Sequence, residues 1–140
     1  MVSKVSVDEA NAFLDGAFEG ADDCARVTVM EPGRAVVRLV ADGTHLRPGG
    51  YISGPTQMAI VARAVYMAVM TETGITPMAV TSNFTMNFLR PCIGDAVEAD
   101  ARLIKRGRTL AVAEVDVRIV GADKPSSRAG VTYSMPRDTE

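Results

Sequence analysis

The densest group of residues able to do chemistry lies in the segment His45-Leu-Arg-Pro-Gly-Gly-Tyr-Ile-Ser-Gly-Pro55. It holds the chain's single histidine, His45, a cation at Arg47, a hydroxyl at Ser53, and glycines at positions 49, 50 and 54. It leads into a strongly apolar run from Met58 to Met70 that only Arg63 interrupts with a charge. Ser53 and Gly54 are candidate N-caps, and Pro55 suits a first helical turn, where a missing N–H costs nothing. A helix N-terminus presents unpaired N–H groups and a partial positive charge, which suits a carbonyl that develops into an oxyanion; the same pattern also serves simply to start a helix. Ser53 has no histidine at triad spacing, and a capping hydroxyl is already engaged. His45 can contact substrate or fill a hydrogen-bonding role in the loop. Arg63, inside an apolar helix, needs a partner or an exit to solvent, at a subunit interface or in a substrate channel. Thr81 offers a strand hydroxyl. Arg90 and the cluster Lys105-Arg106-Gly107-Arg108 offer planar guanidinium groups suited to phosphate, or else an ordinary charged hairpin tip.

The elements that must position these groups are legible from periodicity. Ser6 and Glu9 form a capping box, predicting a helix from Val7 to about Phe18 that stops near Gly20. Residues 25–30 and 35–41 alternate around Glu31-Pro-Gly-Arg34, a type II turn, and form a hairpin. A helix from about Pro55 to Thr73 follows, apolar on nearly every face and therefore expected to be buried all round, with Gly74 as its stop. Residues 80–88 alternate, with Val80, Ser82, Phe84, Met86 and Phe88 on one mainly apolar face and Thr81, Asn83, Thr85 and Asn87 on a polar one. Residues 95–106, 108–120 and 127–135 continue as long half-buried strands, and 136–140 reads as a frayed tail. The sum is one α+β domain spanning 1–140, a sheet of about six antiparallel strands wrapped around one long buried helix. One sheet of this size does not cover such a helix, so a homodimer or a dimer of dimers is expected.

Bulk properties exclude several functions. A chain of 140 residues with 47% apolar and 23% charged residues has the composition of one folded domain and not of a disordered segment. A net charge of -2 argues against nucleic-acid binding, which draws on clustered cations. Cys24 and Cys92 stand in no metal-ligand spacing and read as free thiols, so no metal is expected and a cytoplasmic home is the simplest. The N-terminus shows no secretory pattern. The run Met58 to Met70 is well short of the ~20 apolar residues that span a bilayer, so no membrane is expected. No phosphate-binding glycine motif follows a strand, which leaves no nucleotide cofactor in view.

The order of short helix, hairpin, glycine-rich loop, buried helix and long antiparallel strands resembles the hotdog fold. The loop is similar to the His-x-Asn-x-x-Gly-x-x-His-Gly-Gly pattern of acyl-CoA thioesterases of the phenylacetate-degradation type. Asn87-Phe-Leu-Arg-Pro91 with Gly94-Asp95 matches that family's strand ending, and the likeness covers roughly residues 25–135. The resemblance implies thioester hydrolysis or binding, with a coenzyme A thioester as substrate and no other cofactor. On it, His45 matches the first histidine, Gly50 the middle glycine, and Gly54 the residue whose N–H meets the thioester carbonyl; Thr81 falls at a supporting hydroxyl. Arg47, Ser53 and Pro55 depart from the pattern, and Ala62 stands where the family commonly places the Asp or Glu that activates water or attacks the carbonyl. These departures leave two readings open: a hydrolase with a non-standard catalytic set, or a non-catalytic acyl-CoA-binding paralogue. A dehydratase of the same fold is disfavoured, because the central helix carries no acidic residue before Glu72. Met58, Tyr66, Met67 and Met70 can line an acyl channel or fill core.

Overall fold

The structure, a computed structural model, describes residues 2–17 and 25–136. The end of the first helix near Gly20, the thiol of Cys24 and most of the expected tail fall outside them. Helix α1 (Val7–Ala17) begins at the expected capping box: Ser6 N–H donates to the Glu9 carboxylate at 3.0 Å, and Glu9 N–H donates to Ser6 Oγ at 3.1 Å. The Asn11 side chain bonds both the N–H and the carbonyl of Val27, which docks α1 on the first strand.

Strands β1 (Ala25–Glu31) and β2 (Arg34–Val40) form the hairpin, with Gly33 at φ +74 as a type II turn requires. Helix α2 (Gly54–Thr73) follows, then β3 (Val80–Phe88), β4 (Ala96–Arg106), β5 (Leu110–Ile119) and β6 (Ser127–Ser134). All six strands join one antiparallel sheet in the order β1-β2-β4-β5-β6-β3. Cross-strand rows such as Ala35, Ala101, Val115 and Ala129 line its inner face. Alanines there keep that face low, so α2 lies close against β2 and β4. The outer face is solvated and carries ion pairs, among them Arg34 with Asp100 and Arg38 with Glu98.

Two expectations need correction. Helix α2 is not buried all round. Its C-terminal half is covered by the N-terminal segment and α1, with Lys4 N–H donating to the Thr71 carbonyl and Phe13 meeting the Tyr66 ring at 6.1 Å. Nothing among the described residues covers the outer side of the N-terminal half, so Pro55, Met58 and Ala59 are exposed while Ala62 and Arg63 are half-buried. These five lie on one helical stripe.

The second correction is in β3, where the pairing register shifts between Thr81 and Asn83. A bulge reverses side-chain phase. Thr81 therefore pairs with the inward-facing Tyr133, and Val80 turns outward with 56% exposure. As the last strand in the order, β3 also leaves Phe88 53% exposed.

Gly94 shows why the strand-end motif needs glycine. A Cβ there would lie 2.6 Å from Ile119 Cγ2, on a β-branched side chain with little freedom to move. Gly94→Ala is expected to cost about 1–3 kcal/mol in urea denaturation with an unchanged m value, and the same substitution in an Ile119→Ala background should cost little.

Candidate active site

The loop into α2 is built by short-range hydrogen bonds. Asp42 caps a single 3-10 turn, Gly43–His45, accepting from Thr44 N–H at 2.8 Å, while Asp42 N–H donates to His45 Nδ1 at 2.9 Å. An accepting Nδ1 puts the neutral ring's proton on Nε2. His45 is 5% exposed, so its ring is a tether of the loop and does not project from it. From His45 the chain forms a miniature hairpin: Ser53 N–H donates to the His45 carbonyl, Leu46 bridges Ile52, and Arg47 N–H donates to the Tyr51 carbonyl. Its tip closes through Gly50 N–H to the Arg47 carbonyl, with Gly49 at φ +98 and Gly50 at φ +79. Arg47 is exposed and lies over the Tyr51 ring at 5.8 Å.

Ser53 caps α2. Its Oγ accepts from Thr56 N–H at 3.2 Å and donates to Thr56 Oγ1 at 2.8 Å, so the hydroxyl is engaged at the helix start. Gly54 is the first helical residue, and its N–H has no carbonyl one turn back to receive it. A Cβ at Gly54 would lie 3.3 Å from Phe88 Cζ, so the bare Cα packs against the edge of the Phe88 ring. The result is an N–H donor at the positive end of a helix of 20 residues, beside an exposed aromatic ring.

Buried polar contacts fix this arrangement from below. Ile52 N–H donates to the Cys92 carbonyl at 2.8 Å. Gln57, 4% exposed, donates from Nε2 to the Ile52 carbonyl at 3.1 Å and accepts from Ser127 Oγ at 2.7 Å. Burial raises the Cys92 thiol above its ordinary range, with a hydrogen bond to Ser126 partly offsetting the effect. Gln57 and Ser127 are not singled out by the sequence pattern, although a glutamine one turn into an apolar helix was the available signal.

A second polar chain lies farther along α2. The Tyr133 hydroxyl donates to the Ala62 carbonyl at 3.0 Å, and the Thr81 hydroxyl bonds the same phenol. Burial raises Tyr133 above the usual phenol range, and the Thr81 bond works against that. Thr81 thus faces the helix at the level of Ala62, reached through the bulge. Tyr133 carries no sequence signal of this role, because it reads as an ordinary apolar position of its strand.

The basic candidates separate. Arg90 follows Phe88 closely and donates to the Pro125 carbonyl, at the Gly54 end of the molecule. Arg106 and Arg108 line a recess of about 920 Å³ with Lys4, Thr73, Thr76, Thr109, Met135 and Pro136. That recess adjoins the C-terminal end of α2, about 30 Å from Gly54 along the helix, so one protomer does not bring these two arginines to the loop. Among the described residues no cluster of three or more His, Cys, Asp or Glu could hold a metal, and no helix is long and apolar enough to cross a membrane.

The thioesterase superfamily profile matches residues 49–125, which takes in the loop from Gly49 onward, α2 and strands β3 to β5. The chain belongs to the thioesterase superfamily. A candidate thioesterase from Silicibacter sp. TM1040 is 34% identical, with 97% of this chain and 95% of that one covered at a TM-score of 0.88. The phenylacetic acid degradation protein of Thermus thermophilus, in the structure of a point mutant, is 27% identical over 80% and 93% of the two chains, with a TM-score of 0.70. A Streptococcus mutans protein bound to acetyl CoA shares the fold at 20% identity, covering 89% and 98%, with a TM-score of 0.75. None of the curated proteins matches the chain. The hotdog architecture and the resemblance to thioesterases of the phenylacetate-degradation type are borne out. Within this superfamily the chain keeps the glycine at the helix start and places alanine at position 62.

Proposed function

We propose that this chain is an acyl-CoA thioesterase that opens a short acyl or aromatic acyl thioester at the N-terminus of α2. The observation that carries the reading is Gly54, whose unpaired N–H points from the positive end of α2 with only the Phe88 ring against its Cα. A thioester carbonyl held there gains stabilisation as negative charge develops on its oxygen. Acetyl CoA bound to a neighbour of the same fold supports a coenzyme A thioester as the substrate, with no further cofactor. Ser53 acts as the cap and His45 as the loop tether, so neither serves as nucleophile or base. Catalysis rests on positioning and the oxyanion site.

A cytoplasmic homodimer, or a dimer of dimers, is part of the proposal. The exposed stripe of α2 and the free edge of β3 form the apolar surface that a second copy would cover. The purified protein should release free thiol from at least one of a panel of short, medium and aromatic acyl-CoAs. No release from any member at high enzyme concentration overturns the hydrolase reading. Ala62 favours a second reading, a non-catalytic acyl-CoA-binding protein; that one expects a raised Tm with acyl-CoA and no turnover.

A further inference from the structure

We infer that Phe88 selects the acyl group: its ring walls an apolar cleft between α2 and β3 that takes an uncharged acyl chain reaching several carbons beyond the thioester. The inference rests on the thioester reading of Gly54 and names the residue and the acyl chemistry of that site. The ring comes within 3.3 Å of where a Gly54 Cβ would stand. On a helix that direction leans toward the N-terminus, so the ring edge flanks the Gly54 N–H. A carbonyl oxygen accepting from this N–H, at roughly 2.9 Å, lies alongside the ring.

Strand pairing puts the ring on the inner face of the sheet. Phe84, Met86 and Phe88 stand opposite Val131, Ala129 and Ser127 of β6, all buried, and directly opposed side chains share a face. None of the three is itself buried: Phe84 and Met86 are partly covered and Phe88 is exposed. Inner-face residues of β4 and β5, such as Ala99 and Val117, are wholly covered. The difference arises because α2 lies against β2 and β4 and barely reaches β3. Met58, four residues on from Gly54, lies on nearly the same side of the helix and is also exposed. The gap between helix and strand is an apolar cleft that opens at the Gly54 N–H.

Charge decides which half of the thioester enters it. The walls are Met58, Phe84, Met86 and Phe88, and β3 carries no ionisable side chain. Cations lie the other way: Arg90 follows Phe88 beyond the strand end and donates to the Pro125 carbonyl, and Arg47 is exposed on the loop tip. The phosphates of coenzyme A suit that side. The acyl group is left for the cleft, whose walls favour each methylene removed from water and disfavour a charged chain end. From Phe88 to Phe84 the strand runs about 13 Å, room for a chain of about six carbons. A second copy over the free edge of β3 would roof the cleft, but Phe88 meets Gly54 within one protomer.

The test compares hexanoyl-CoA with acetyl-CoA, which differ only in the length of the acyl chain. In the wild type kcat/KM should favour hexanoyl-CoA by about tenfold or more. Phe88→Ala should remove most of that preference by lowering the hexanoyl value alone, with inhibition by free CoA unchanged. Phe88→Leu should keep part of it, and carries the comparison if Phe88→Ala does not fold. A wild type that does not favour hexanoyl-CoA overturns the inference. So does an equal fall for both thioesters with weaker inhibition by CoA, which gives the ring to the coenzyme. A preference unchanged in the variants overturns it too, and dissociation of their oligomer would then give the ring to a subunit interface. If neither thioester turns over, thermal shifts decide: extra stabilisation by hexanoyl-CoA over acetyl-CoA, lost in Phe88→Ala, upholds the cleft while the hydrolase reading fails. Equal shifts overturn it, and no shift from either overturns the Gly54 reading as well.

Discussion

Ala62→Asp is expected to raise kcat on a turned-over acyl-CoA by about 10²-fold or more, the usual contribution of a well-placed acid or base. In the proposed site Gly54 is the oxyanion donor, and the only carboxylate between Gly43 and Gly94 is Glu72, at the far end of the helix. Position 62 is half-buried on the exposed stripe, so a carboxylate there keeps contact with water, and the Thr81 and Tyr133 hydroxyls lie beside its backbone. Within one protomer it stands about 12 Å along the axis from Gly54, beyond hydrogen-bond reach. The gain therefore requires a second copy whose helix runs antiparallel along the stripe, and rate per chain should fall on dilution as that dimer dissociates. The new group should also add an acid limb, with kcat lost as pH falls toward about 4, near the ordinary Asp value. A folded variant with unchanged kcat would show that the missing carboxylate does not limit the reaction.

Much of the fold was legible because its determinants are local. The capping box at Ser6 and Glu9, the turn at Gly33 and the stop at Gly74 are each written in a few adjacent residues, and each is found in the structure. The exposed stripe was not legible, because hydropathy reports what a surface prefers and not what the rest of the chain can reach. Met58 is 42% exposed although nothing in its neighbours distinguishes it from Met67, which is fully buried. The phase of β3 escaped for a related reason: a single bulged residue leaves alternation intact on either side and shifts which set of side chains faces inward. At the site, Gly54 was recoverable from its place before Pro55. Its supports were not, since Gln57 and Ser127 are 70 residues apart and meet only when the sheet is assembled.

That contact gives the second large expected effect. Gln57→Leu removes the side chain that holds the Ile52 carbonyl and leaves Ser127 Oγ without the acceptor it now has, both in a buried setting. Unsatisfied buried groups of this kind predict a loss of about 2–3 kcal/mol, measurable by urea denaturation. The effect on catalysis should be larger than stability alone explains. Ile52 immediately precedes the Ser53 cap, so a slack Ile52 carbonyl lets the loop shift and moves the Gly54 N–H relative to the thioester. A displacement of about 1 Å at such a donor can cost roughly 10²-fold in rate. The two effects separate in the pair Gln57→Leu with Ser127→Ala, which removes both side-chain partners. Stability should return in part, by the share due to Ser127, because replacing both halves of that buried hydrogen bond by apolar groups is nearly neutral. The loss in kcat should persist with KM little changed, because the Ile52 carbonyl is still unheld. If kcat recovers together with stability, Gln57 is core structure and the preorganisation of Gly54 lies elsewhere, in the bonds from Ser53 to His45 and from Ile52 to Cys92.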